Sequence, residues 1–110
     1  MKQFEEVWQD VQEQVKKHQV LYAPETRKMQ VIDVVLDDAV SFTTDPTHKK
    51  DPVVVRKADF ERVWKELEEK GEAKEVDIRP LVGFDKLEFI WTVLNRLDYC
   101  EYDMRRLKLI

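Results

Sequence analysis

The spacing of apolar residues changes twice along this chain, and that change limits the fold more than any single motif. In the first segment Phe4, Val7, Trp8, Val11 and Val15 keep the rhythm of an amphipathic helix with one buried stripe, from about Lys2 to Lys17. Between Gln19 and Arg56 the rhythm becomes strand-like. "QVLY" reads as a short strand or an extended lead-in closed by Pro24, "KMQVIDVVL" is rich in β-branched residues, and "AVSFTT" alternates. Asp37 and Asp38 suit a tight hairpin turn between the last two, "TDPTHKKDP" is a surface loop, and "VVV" is a third strand. Helical spacing returns with Phe60, Val63, Trp64 and Leu67 over about Ala58–Lys70, stopped by Gly71.

A charged linker and "DIRPLVGF" lead to a third helix, for which Asp85 is the expected N-cap and Glu88 completes a capping box. Its apolar residues run to Leu97 and cover more than one face, so it is the most enclosed helix. "YCEY" and "LKLI" alternate weakly and can add a closing strand. The expectation is one α+β domain over residues 1–110, with three helices packed on one face of a three-stranded antiparallel meander.

Phe4–Glu13 ("FEEVWQDVQE") and Phe60–Glu69 ("FERVWKELEE") are nearly alike, but the chain continues differently from each: into strands after the first, into a loop and a helix after the second. A duplication should carry its neighbours along. The likeness is one packing solution reached twice, and Trp8, Trp64 and Trp91 are expected in the core.

At 110 residues, with 43% hydrophobic and 38% charged, the chain has the size and composition of a compact soluble domain. No apolar run nears the roughly 20 residues that cross a bilayer, and the acidic N-terminus does not read as a signal peptide. The single Cys100 fits a cytoplasmic setting. Net charge of −4 opposes whole-surface nucleic-acid binding, yet His48, Lys49, Lys50, Arg56 and Lys57 gather around one loop, with Arg27 and Lys28 able to extend it. Arg105, Arg106 and Lys108 make the tail basic, while Glu66–Asp77 is mostly acidic.

Catalytic signals are sparse. Cys100 with His18 or His48 is the one formal thiol–histidine pair, and its spacing does not bring it together. One cysteine and two distant histidines exclude a structural zinc site. Asp33, Asp37 and Asp38 could offer carboxylates to magnesium, but acids beside a hairpin are ordinarily solvated turn formers. Two glycines cannot build a phosphate loop. The expectation is no enzyme, no metal and no cofactor.

The order "VLYAPETRKMQVIDVVLDDAVSF", then "VVVRKADFERVWKELEEKGE", then an apolar helix ending "TVLNRLDY" resembles the small N-terminal head module of McrA-like, HNH-type modification-dependent restriction endonucleases. In such modules a lead with threonine and arginine, here Thr26 and Arg27, precedes a strand and a hairpin acid. A further strand then enters a Phe-x-x-x-Trp-x-x-Leu helix, matched by Phe60, Trp64 and Leu67. The resemblance spans Val20 to Tyr99. The chain lacks the His-Asn-His nuclease motif and a second domain that reads modified bases, so the resemblance implies the accessory module standing alone. Restriction chemistry also draws attention to acid-x-lysine in Glu68-Glu69-Lys70 and Glu72-Ala73-Lys74, which the periodicity assigns to a helix end and its linker.

The residues support two functional expectations. One is a non-catalytic recognition module of a DNA-processing or defence system, touching nucleic acid through Arg27, Lys28, His48, Lys49, Lys50, Arg56 and Lys57. The other is an acidic protein-binding adaptor or inhibitor of a nucleic-acid enzyme, of the kind a mobile element carries, working through Glu68, Glu69 and Glu72. Neither involves a membrane or a small-molecule substrate.

Overall fold

The computed structural model describes residues 2–45, 47 and 50–110. Helix α1, Phe4–Lys17, carries acids in its first turn and lysines in its last, each stabilised by the helix dipole, and buries Val7, Trp8, Val11 and Val15. Strands β1 (Val20–Tyr22), β2 (Met29–Val35), β3 (Ala39–Thr43) and β4 (Val53–Arg56) then form a four-stranded antiparallel sheet in sequence order. "QVLY" is therefore a true edge strand, and the meander has four strands where three were expected. Asp37 and Asp38 make the β2–β3 turn, closed by Leu36 N donating to the Ala39 carbonyl at 2.8 Å. Neither has a positive φ, so the turn needs no glycine.

Pairing register separates the two faces. Leu21, Gln30, Ile32, Phe42, Val40, Val53 and Val55 share the inner face, while Val20, Tyr22, Val31, Val34, Ser41, Val54 and Arg56 share the outer one. A bulge between Ile32 and Val34 leaves Asp33 as the extra residue.

Helix α2, Lys57–Lys70, ends at Gly71 with φ 75°, the left-handed cap its sequence position implies. Its start is fixed by the Asp59 carboxylate, which accepts from Arg56 N at 3.0 Å. The next segment departs from expectation. Glu72–Lys74 is strand β5, and Glu75–Val82 is a short helix, α3, in place of a linker. Helix α4 spans Phe84–Leu94, beginning one residue before Asp85 and ending short of Leu97. No side-chain cap forms, and Glu88 instead accepts from Thr26 Oγ1 at 3.2 Å. Gly83, with φ 86°, makes the break between α3 and α4, and Pro80 inside α3 keeps that helix short.

The tail forms β6 (Cys100–Tyr102) and β7 (Arg106–Leu109), which join β5 in a second antiparallel sheet of order β5-β7-β6. The closing segment thus builds its own sheet and does not extend the meander. Helices α1, α2 and α4 pack on the first sheet as expected. Their core contains a run of rings: Phe42 stacks on Phe89 at 4.2 Å, Phe89 meets Phe60 edge-on at 6.3 Å, and Phe60 meets Trp8 edge-on at 5.5 Å. Each such pair adds about 0.5–1.5 kcal/mol beyond its burial. Helix α4 is buried from Phe89 through Leu94, the most enclosed of the helices, and all three tryptophans are buried. Among the described residues no helix is long and apolar enough to cross a membrane.

Candidate functional site

Two turns from opposite ends of the chain face each other across a cleft of about 320 Å³. The β1–β2 turn is closed by Arg27 N to the Ala23 carbonyl and Ala23 N to the Lys28 carbonyl, both at 3.0 Å, with Arg27 at φ 59°. The β6–β7 turn is closed between Asp103 and Arg106 at 2.9 and 3.2 Å. Its two central residues, Met104 and Arg105, have φ of 45° and 64°. Such a turn ordinarily uses Asn-Gly. Side chains in left-handed backbone are strained by about 1–2 kcal/mol each, and such strain tends to gather at working sites.

Helices α3 and α4 supply the rest of the cleft, through Glu75 and Arg79 on the first and Phe84, Glu88 and Trp91 on the second. Tyr102 links the parts. Its hydroxyl donates to the Glu25 carboxylate and accepts from Arg105 N at 3.1 Å, and its ring lies 5.2 Å from that of Trp91. Burial, then the bond to Glu25, pushes the Tyr102 hydroxyl up to about 12. Arg105 Nε stands 3.9 Å from Glu25 and 4.0 Å from Glu75, and Arg79 lies 5.0 Å over the Phe84 ring. The Trp91 indole nitrogen is buried without a hydrogen-bond partner among the described residues. The arrangement offers aromatic walls and carboxylates around loosely held guanidiniums.

The expected basic surface is not one patch. Lys28 and Lys50 do line one smaller cleft, of about 210 Å³, but Asp51, Asp85 and Glu88 line it too. Lys57 Nζ binds both oxygens of Glu5 at 2.7 Å. Arg56 is exposed at the end of β4, apart from Lys28, which lies in the turn before β2. His48 and Lys49 lie outside the described residues.

The acidic alternative is also divided. Glu68 and Glu69 are exposed at the end of α2, whereas Glu72 is held by Arg106 at 3.1 Å and Lys74 at 3.6 Å. Glu72 and Lys74 lie on a strand, which corrects their assignment to a linker. They face Lys108 and Arg106 on β7, however, and not an aspartate. Asp103 accepts from Lys108 at 3.0 Å in the same network, and that bond lowers its pKa first.

Asp33 accepts from the Ser41 hydroxyl at 3.2 Å. Among the described residues no three His, Cys, Asp or Glu side chains are grouped to hold a metal ion. Cys100 is buried in the core, its thiol pushed up to about 12 by that burial, and His18 meets Arg96 at 3.1 Å.

Sequence reasoning missed Glu25, Glu75, Glu88, Arg79, Trp91, Tyr102 and Arg105 as a group. The only local signal is helical spacing, Glu75 to Arg79 and Glu88 to Trp91, and neither pair points to Glu25 or Tyr102. Comparison with protein-family models, with curated proteins and with solved structures gives no match, so the functional reading rests on geometry and charge alone.

Proposed function

We propose that this chain is a non-catalytic protein-binding module, an adaptor or inhibitor that receives a basic side chain of its partner in the cleft between the two turns. The observation that carries this reading is the loose hold on Arg105. Two carboxylates converge on it at 3.9 and 4.0 Å, too far for tight hydrogen-bonded pairs, and its side chain is 73% exposed. A partner's arginine or lysine can displace it or share Glu25 and Glu75 with it. The rings of Phe84, Trp91 and Tyr102 suit a flat guanidinium. Nucleic-acid enzymes line their grooves with such cations, which makes a cytoplasmic enzyme of that class the partner the chemistry fits.

The test is an NMR titration with a short arginine-rich peptide. Shifts should concentrate at Glu25, Glu75, Arg105 and the Trp91 indole N–H. Glu25→Gln with Glu75→Gln should weaken binding about tenfold, the effect of losing roughly 1.4 kcal/mol of charge pairing. Shifts confined to Glu68 and Glu69, or unchanged binding by the double variant, would refute the reading.

A second reading, nucleic-acid contact by the restriction-like accessory module, is favoured by one observation, the presence of Lys28 and Lys50 in the lining of one cleft. Log affinity should then fall against log salt by about 0.9 per phosphate contact, and replacing both lysines with alanine should lower that slope by about two. No binding to duplex or single strand at about 50 mM salt ends it.

A further inference from the structure

Beside the Arg105–Glu75 pair, a second and shallower hollow of about 350 Å³ adjoins the cleft, lined by Lys74, Glu75, Val76, Met104, Arg105 and Arg106. The two spaces share Glu75 and Arg105 as a common wall. Chain continuity explains why. Glu75 N donates to the Arg105 carbonyl at 3.0 Å, which fastens the start of α3 to the β6–β7 turn. The next residue along from each, Val76 after Glu75 and Met104 before Arg105, is thereby set in the hollow.

Val76 and Met104 are 75% and 84% exposed, open apolar area directly continuous with the cleft. Met104 stands in left-handed backbone, φ 45°, where Asn or Gly is the usual occupant. An exposed methionine adapts its shape to apolar groups of varied outline, and methionine is enriched at interfaces.

Charge limits what covers them. Among the described residues lining the hollow, the cations Lys74, Arg105 and Arg106 face one carboxylate, Glu75, which the cleft also uses. The neighbouring carboxylates are engaged already: Glu72 by Lys74 and Arg106 at 3.6 and 3.1 Å, Asp103 by Arg106 and Lys108 at 3.6 and 3.0 Å. A second basic side chain of the partner therefore meets repulsion there. An acidic one must draw Lys74 or Arg106 away from Glu72, and it stands beside Glu75. An apolar one covers Val76 and Met104 and breaks no pair.

We infer that the partner segment is an extended stretch in which the arginine held by the cleft is accompanied by a large aliphatic residue seated over Val76 and Met104. This rests on the cleft reading and specifies the partner's motif, an arginine with an apolar companion in place of a run of basic residues. Same-side residues of an extended chain are two positions and about 7 Å apart, a step that crosses one shared wall.

Calorimetric titration with four peptides tests the inference. Each has one central arginine in a glycine-serine frame, with leucine, alanine, lysine or glutamate two positions away on both sides. The leucine peptide should bind about tenfold more tightly than the alanine peptide. The lysine peptide should bind no more tightly than the alanine peptide, and the glutamate peptide less tightly than the leucine one. Val76→Gln with Met104→Gln, at exposed positions, should bring the leucine peptide down to the alanine peptide's affinity with far-UV circular dichroism unchanged. Equal binding of the leucine and alanine peptides, or a leucine advantage that survives this double variant, overturns the inference and leaves the cleft reading standing. Tighter binding of the lysine or glutamate peptide than of the leucine one does the same. Binding untouched by Glu25→Gln with Glu75→Gln, or no binding of any peptide, overturns both.

Discussion

Trp8 and Trp64 occupy matching places in the two similar helices, and both are buried edge-on to another ring, Phe60 at 5.5 Å and Tyr99 at 5.9 Å. They differ at the indole nitrogen. Trp8 Nε1 donates to the Asp37 carbonyl at 2.8 Å and so ties α1 to the β2–β3 turn. Trp64 Nε1 is buried with no partner among the described residues. Replacing each with phenylalanine removes the same atoms, and the lost ring packing should cost both variants about 1–2 kcal/mol. Among the described residues Trp8→Phe also leaves the Asp37 carbonyl with only a long contact from Gln12 at 3.4 Å, a further loss of about 1–1.5 kcal/mol. Trp64→Phe removes an unsatisfied buried donor, which returns about 1 kcal/mol or more. Trp8→Phe should therefore destabilise by about 2–3.5 kcal/mol and Trp64→Phe by about 0–1. Urea unfolding followed by far-UV circular dichroism is the assay, because both variants alter tryptophan fluorescence. With slopes of about 1–3 kcal/mol per molar, the midpoints should differ by about 1 M. Equal losses, or a greater loss for Trp64→Phe, would refute the reasoning.

Trp64→Ala, which removes the whole ring, should cost about 3–5 kcal/mol, and a loss below about 1 in the same assay would take Trp64 out of the core. Gln30→Met should stabilise the protein by about 1 kcal/mol, since the Gln30 Oε1 is buried without a partner among the described residues; an unchanged or lower urea midpoint would count against this. Gly71→Ala should destabilise by about 1 kcal/mol through its φ of 75° alone, because an added Cβ meets nothing within 4 Å; a neutral thermal midpoint would contradict that. Cys100 binds its proton more tightly folded than unfolded, with a pKa of about 12 against 9.0. The stability this confers is intact below pH 9 and is lost as pH rises toward 12. Removal of the thiol by Cys100→Ala should flatten that alkaline decline, read as urea midpoint against pH.

Elements whose rule is local were legible in the sequence. The apolar stripes of α1 and α2, the Gly71 stop and the Asp37-Asp38 turn depend on neighbours within a few residues, and each lies where its spacing puts it. Burial of Trp8, Trp64 and Trp91 followed from the same stripes. The second sheet was legible only in part: the weak alternation of "YCEY" and "LKLI" marks β6 and β7, but β5 has too few residues to set a period and is stabilised only by pairing with β7. Asp85 and Glu88 have the sequence of a capping box, but the break at Gly83 moves the N-cap two residues early and Thr26 takes Glu88 as its acceptor. The basic loop and the acidic stretch were legible as composition alone; that Lys57 pairs with Glu5, Glu72 with Arg106, and Lys28 shares a cleft with Asp51 is decided by tertiary neighbours. The cleft belongs wholly to the tertiary structure. Glu25 and Tyr102 are 77 residues apart in the chain, and only the meeting of two turns brings the hydroxyl to the carboxylate.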